Sequence, residues 1–154
     1  MKFIYKLLAT ALGVGYSPFA PGTAGAIIGC AALWLLEEYN LISTTTTPFL
    51  FISLIVVTII MGIIATDKLE PEWGKDPSKV VLDEVIGMWI TMMFVQFTWL
   101  NVLIGFVLFR FFDIAKPLGI RKLEKLKGGV GVMADDMLAG IYANIVLQII
   151  IYFI

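Results

Sequence analysis

Four long stretches without a charged side chain constrain the fold of this chain more than any other feature of its sequence. They cover residues 7–36, 39–66, 85–109 and 137–154. Each is long enough to contain a helix of about 20 apolar residues, the length that crosses a bilayer core. Charged residues make up 15% of the chain and hydrophobic ones 60%, so a water-soluble surface cannot be built. We therefore expect an all-α, polytopic membrane helix bundle.

The stretches predict about five membrane spans in a single domain, residues 1–154. A helix covering the whole of residues 81–116 would measure roughly 54 Å, against a hydrocarbon core of about 30 Å. This segment is therefore expected to fold back on itself as two spans, with a turn at residues 96–101. The remaining spans are expected over residues 22–36, 48–65 and 135–154.

The first charge-free stretch is interrupted at residues 15–23, where two prolines and two glycines end a helix. We expect residues 2–13 to form a short helix that either lies in the membrane interface or re-enters the membrane only partly. Lys2 and Lys6 resemble the basic start of a signal peptide, but the following segment offers a poor cleavage site. The helix is therefore expected to belong to the mature protein.

The basic residues lie on one side of this arrangement. All eleven Lys and Arg fall near the N-terminus, between the second and third spans, or around the end of the fourth span and its following loop. The segments 37–47 and 96–101 contain none. Because cytoplasmic loops carry the excess of Lys and Arg, we predict a multi-pass membrane protein with a cytoplasmic N-terminus.

Several absences limit the chemistry. The chain has no histidine, which excludes an imidazole nucleophile, base or metal ligand. Its single cysteine, Cys30, lies in an apolar run, and Leu36 stands where a cysteine phosphatase needs its arginine. The net charge of −1 gives no indication of a nucleic-acid partner.

Five carboxylates fall at the cytoplasmic ends of the expected spans. Acids that open a helix can simply complement its dipole, and this interpretation stays open for each pair. Five such groups at one depth repel one another unless a cation or protons intervene, and oxygen donors without His or Cys favour Mg²⁺. The predicted metal ligands are Asp83, Glu84, Asp113, Asp135 and Asp136.

Arg110, Asp113 and Lys116 are spaced by three residues and share one helix face. The simple alternative is an intrahelical Arg–Asp pair beside a lysine that extends to the interface. The functional interpretation is that both cations bind phosphate. Thr23 follows a Pro-Gly pair at a helix start, where an anion is favoured, although it can also serve only as an N-cap. The predicted phosphate-binding residues are Thr23, Arg110 and Lys116.

Four blocks, read in order, resemble the phosphatidylglycerophosphatase A family. They are residues 15–25 (GYSPFAPGTAG), 81–91 (VLDEVIGMWIT), 105–117 (GFVLFRFFDIAKP) and 128–140 (GGVGVMADDMLAG). The resemblance implies a Mg²⁺-dependent enzyme of the bacterial inner membrane that hydrolyses phosphatidylglycerophosphate, a membrane phospholipid, to phosphatidylglycerol and phosphate. Its active site is then cytoplasmic.

The family's motifs fall on the same charged residues. On the grounds of this resemblance and of the depth expected for these residues, the catalytic candidates are Asp83, Glu84, Asp113 and Asp136. Attack by water and a phosphoenzyme both remain open as mechanisms. The alternative function is a small transporter or ion-conducting assembly with an intramembrane acidic site. A translocation path is expected to place polar groups at mid-membrane or on both sides. The only charged residues on the other side are Glu37 and Glu38, which are accompanied by uncharged polar residues such as Gln96 and Asn101.

Overall fold

The chain folds into α-helices in a computed structural model that describes residues 2–75 and 77–153. Seven α-helices and one short 3₁₀ helix, Val14–Tyr16, occur in this part, which contains no strand. This confirms the all-α class. The helices are α1 Lys2–Ala9, α2 Pro21–Glu38, α3 Pro48–Trp73, α4 Leu82–Thr91, α5 Trp99–Ala115, α6 Ile120–Leu123 and α7 Gly128–Phe153.

Two of these helices are long and apolar enough to cross a membrane, α3 and α7, each with 26 residues. The expected third span is only the ten-residue α4. At about 1.5 Å per residue it is about 15 Å long, half the thickness of a bilayer core of about 30 Å. The count of about five spans therefore stays a prediction, and α4 does not meet the length of a full span.

The segment 81–116 folds back on itself as expected, but the break lies earlier than residues 96–101. α4 ends at Thr91 and α5 begins at Trp99. The Asn101 backbone N–H donates to Thr98 Oγ1 over 3.2 Å, so Thr98 caps α5 and sets where it starts. The reversal therefore occupies residues 92–98.

The last helix begins at Gly128, about two turns before the expected start at Asp135. Asp67 of α3 accepts a hydrogen bond from the Gly129 backbone N–H over 2.6 Å, which satisfies a donor at this helix start. Asp135 and Asp136 consequently lie in the third turn of α7 and not at its opening, which corrects the expectation. Asp135 and Asp136 therefore do not merely complement the dipole of α7, since that effect fades beyond the first turn of a helix.

The short helix α4 is the centre of the bundle, with nine of its ten residues buried. It packs between α2 and α7, and Trp89 donates its indole N–H to the Gly29 carbonyl of α2 over 3.0 Å. On the other side Gly87 of α4 faces Gly140 of α7, where an added Cβ would lie 2.5 Å from the Gly87 carbonyl oxygen. The absence of side chains at this crossing lets the two backbones meet.

The N-terminal helix is short, as expected, but it ends at Ala9 and not near residue 13. Its eight residues measure about 12 Å, too little to cross a bilayer. The helix packs on α3, and its last residue accepts a hydrogen bond from the Val81 N–H over 2.9 Å. It therefore supports the segment that leads into α4.

Candidate active site

A cavity of about 380 Å³ opens where α2 and α4 begin and α5 ends. Seven of the eight charged or polar residues predicted from the sequence line it, and Thr23 does not. Ala20, Pro21 and Gly22 contribute a wall from the start of α2, and Pro77, Ser78 and Val80 contribute another. The charged lining residues are Asp83, Glu84, Arg110, Asp113, Lys116, Asp135 and Asp136.

Asp83, Glu84 and Asp136 form a compact group, which we call the acidic triad. Each offers a carboxylate oxygen, and the three oxygens lie within 4.8 Å of one another. Asp83 is 8% and Asp136 4% exposed, while Glu84 is partly buried. One oxygen of each carboxylate is buried without a hydrogen-bond partner in the described part of the chain. Such oxygens are costly unless a cation satisfies them, so the triad fits a bound metal.

Helix register explains why the triad forms. Asp83 stands four residues before Gly87, and Asp136 four residues before Gly140, so each acid lies about one turn from the glycine crossing of α4 and α7. The close contact of these two glycines therefore brings their neighbouring acids together. Glu84 follows Asp83 on the first turn of α4 and completes the group.

Arg110 and Asp113 form an ion pair one turn apart on α5, which is the simple alternative considered for this stretch. Both side chains nevertheless stand in the cavity wall. Arg110 also lies beside the start of α2, because a Cβ added at Gly22 would be 3.3 Å from its Nη1. The same Cβ would collide with the Glu84 carboxylate, so the glycine leaves room for both side chains.

Lys116 is held by two carboxylates at the end of α5. Its Nζ lies 2.5 Å from Asp135 Oδ2 and 2.7 Å from Glu124 Oε1. Burial alone would lower the pKa of Lys116, but the hydrogen bonds with Asp135 and Glu124 outweigh it and raise the pKa above its usual value. Lys116 is therefore a fixed positive charge at the cavity wall.

Glu124 was not predicted from the sequence, where it stands as the single acid among the basic residues 121–127. Thr23, which was predicted, is the third residue of α2, and Ala20 occupies the N-cap position without a side-chain hydrogen bond. Thr23 is thus not the N-cap of this helix. The three residues before Thr23 line the cavity, and Thr23 itself does not.

Comparisons with known proteins agree with the resemblance seen in the motifs. The profile of the family described as phosphatidylglycerophosphatase A matches residues 7–151. A Bacteroides thetaiotaomicron protein, provisionally named phosphatidylinositol-3-phosphatase, is 46% identical over 96% of this chain and 94% of its own length. No solved structure matches the chain.

Two relatives carry the name phosphatidylglycerophosphatase A. The Escherichia coli protein is 36% identical over 95% of this chain and 83% of its own length. The Haemophilus influenzae protein is 39% identical over 95% of this chain and 88% of its own length. The similarity therefore extends through every helix that lines the cavity.

Proposed function

The chain belongs to the phosphatidylglycerophosphatase A family, and from this membership we propose that it removes the terminal phosphate of phosphatidylglycerophosphate with the help of Mg²⁺. It is a phosphatase of phosphatidylglycerol synthesis. We further propose that it acts in the bacterial inner membrane with its cavity and N-terminus on the cytoplasmic side. The observation that carries the proposal is the acidic triad, whose unpartnered oxygens share one cavity with Arg110 and Lys116.

The charged residues divide into two groups in this proposal. The acidic triad would hold Mg²⁺, because hard oxygen donors alone are the set that this ion prefers. Arg110 and Lys116 would bind the phosphate beside the triad, Arg110 through its forked guanidinium and Lys116 as a point charge. Asp113 and Asp135, each paired with one of these cations, would orient them.

The chain's own residues would position the phosphate and manage the proton of the attacking water. When bound, Mg²⁺ supplies positive charge to phosphate oxygens and increases the acidity of water. A carboxylate of the triad is suited to accept the proton that water loses, and Arg110 to neutralise charge that develops on phosphate. Direct attack by water is the route we propose, and the absence of Thr23 from the cavity lining argues against a phosphoenzyme on that residue.

Release of inorganic phosphate from defined lipids in vesicles tests the proposal. Phosphatidylglycerophosphate is expected to be the preferred substrate, and phosphatidylinositol 3-phosphate is the competitor that the Bacteroides relative's name suggests. A higher kcat/KM for the inositol lipid would show that this lipid, and not phosphatidylglycerophosphate, is the preferred substrate. Absence of phosphate release from either lipid would overturn the proposed activity.

Removal of divalent cations is expected to abolish phosphate release. A chelator leaves the triad's carboxylates without the charge that balances them, and added Mg²⁺ or Mn²⁺ should restore the rate. The measurement is the initial rate in vesicles before and after dialysis against chelator. Undiminished activity in chelator would refute the assignment of the triad as a metal site. The assignment of the substrate would be unaffected.

Arg110→Lys is expected to raise KM for the lipid about tenfold or more, because a lysine keeps the charge but loses the paired N–H groups that match phosphate. Arg121→Lys is the matched control, since Arg121 is exposed in α6 and does not line the cavity. Steady-state kinetics over a range of lipid fractions measure the effect. An unchanged KM for Arg110→Lys would remove this residue from the phosphate site.

The alternative of a transporter or ion-conducting assembly gains no support from the structure. The described acidic triad and its neighbouring cations lie in one cavity at one end of the bundle, whereas a path requires polar groups along its length. Ion flux through vesicles that contain the purified protein, with no phosphatase activity, would reverse this conclusion.

A further inference from the structure

An apolar groove lies between α2 and α5, one helix turn from the candidate active site. The two helices are antiparallel and contact each other little along their length. At the site end, Gly22 lies beside Arg110. At the far end, the rings of Trp34 and Trp99 stand with centroids 6.4 Å apart. Between these two contacts the helices leave a space.

This space is a cavity of about 240 Å³. Apolar side chains and one thiol line it, and Val102 forms its floor with 6% exposure, while Ile27 and Leu103 stand exposed at its edges. No charged side chain is among the lining residues. The complete lining is Ile27, Cys30, Trp99, Val102, Leu103 and Phe106.

The groove and the site are separate cavities that share no lining residue, and along α5 they are one helix turn apart. Phe106 precedes Arg110 by one turn of α5, about 6 Å along the helix axis. Its lining on α5 extends from Phe106 to Trp99, about 10 Å at about 1.5 Å per residue. From Arg110 to Trp99 the distance along α5 is about 16 Å, roughly half of a bilayer core of about 30 Å, so an acyl chain that starts at the site can reach through the groove.

We propose that this groove holds an acyl chain of the lipid whose phosphate is bound in the candidate active site. The inference rests on the proposed function, which places a phosphorylated lipid headgroup beside Arg110. A chain attached to that headgroup must leave the polar cavity, and the groove is an apolar surface that begins one helix turn from Arg110. Anchoring by the phosphate gives this chain an advantage over bulk lipid, whose tails are equally apolar.

Cys30→Trp tests the groove by filling its middle. For a substrate with palmitoyl chains, KM is expected to rise about fivefold or more, because the bound chain loses its dispersion contacts. For a substrate with hexanoyl chains, which end near the site, KM is expected to stay unchanged. Leu103→Trp is the second variant, since Leu103 is exposed and a larger side chain there need not disturb the core.

Ile28→Trp is the matched control, because Ile28 is exposed on α2 at the same depth but does not line the groove. It should change KM for neither substrate. Equal effects of Cys30→Trp and Leu103→Trp on the long and short substrates, or no effect on either, would overturn the proposal.

A binding measurement separates this proposal from the proposed function. A phosphatidylglycerophosphate analogue with a photoreactive group in the middle of one chain should crosslink to Ile27, Leu103 or Phe106, identified by mass spectrometry of peptides. Crosslinks confined to other helices would refute the proposal that the groove holds an acyl chain, even when the enzyme is active. If the wild-type protein released no phosphate but the analogue still crosslinked to the groove, the proposed function would be refuted. The assignment of the groove to an acyl chain would then be supported.

Discussion

Asp136→Asn is expected to reduce phosphate release at least about a thousandfold and, at the same time, to raise the melting temperature of the metal-free protein. The same opposite changes are expected for Asp83→Asn. Both acids are buried in the acidic triad, where each has an oxygen without a hydrogen-bond partner in the described structure. The two effects have one cause, the crowding of negative charge that a metal would offset.

Asparagine nearly preserves the shape of aspartate but removes its charge. Without metal, loss of one charge from three close carboxylates relieves their repulsion, so the folded state should gain stability. With metal, the same loss removes a ligand and weakens the charge that stabilises the transition state, a contribution of several kcal/mol. A residue with a merely structural role would instead lower activity and stability together.

Thermal unfolding with and without Mg²⁺, combined with phosphate release, measures this prediction. Mg²⁺ should raise the melting temperature of the wild type but have little effect on the two variants, since a ligand stabilises only the state that binds it. Glu72→Gln is the matched control, because Glu72 is exposed and pairs with Lys6 away from the cavity. Wild-type rates in both aspartate variants would remove these residues from the metal site.

The sequence indicated which charged residues meet, because charge is tolerated only at the ends of apolar helices. It did not indicate how these residues pair. Asp135 and Asp136 look equivalent as neighbours, yet successive residues on a helix point about 100° apart. Asp136 therefore lies close to Asp83 and Glu84, whereas Asp135 contacts Lys116. Such pairing depends on the register between helices, which a single sequence does not contain.

The boundaries of α7 show a second limit of local reasoning. The last span is expected to start at residue 135, and the local preference of Gly128, Gly129 and Gly131 agrees with that start, because glycine is unfavourable within helices. In the structure they belong to the helix, since a Cβ at Gly129 would lie 2.5 Å from the Ile63 carbonyl oxygen of α3. Close packing between helices therefore outweighs the local preference. The same reason governs the glycines that place α7 against α4.

Gly140→Ala is expected to destabilise the protein by about 3 kcal/mol and to slow phosphate release about a hundredfold. Its new Cβ would lie 2.5 Å from the carbonyl oxygen of Gly87, and backbone atoms cannot turn aside as a side chain can. The two helices must then separate by about 1 Å to reach an ordinary contact distance. Since Asp136 lies one turn from this crossing, the separation also moves it away from Asp83.

Gly105→Ala is the matched control, because its Cβ would meet only the ends of side chains, with Leu147 Cδ2 and Met92 Sδ each 3.2 Å away. Both substitutions bring the same gain in helix propensity, about 1 kcal/mol, so the difference between them isolates the backbone contact. Thermal unfolding and Mg²⁺ titration of the melting temperature should show weakened metal binding for Gly140→Ala alone. If Gly140→Ala bound Mg²⁺ and hydrolysed lipid as the wild type does, the acidic triad would not depend on the glycine crossing.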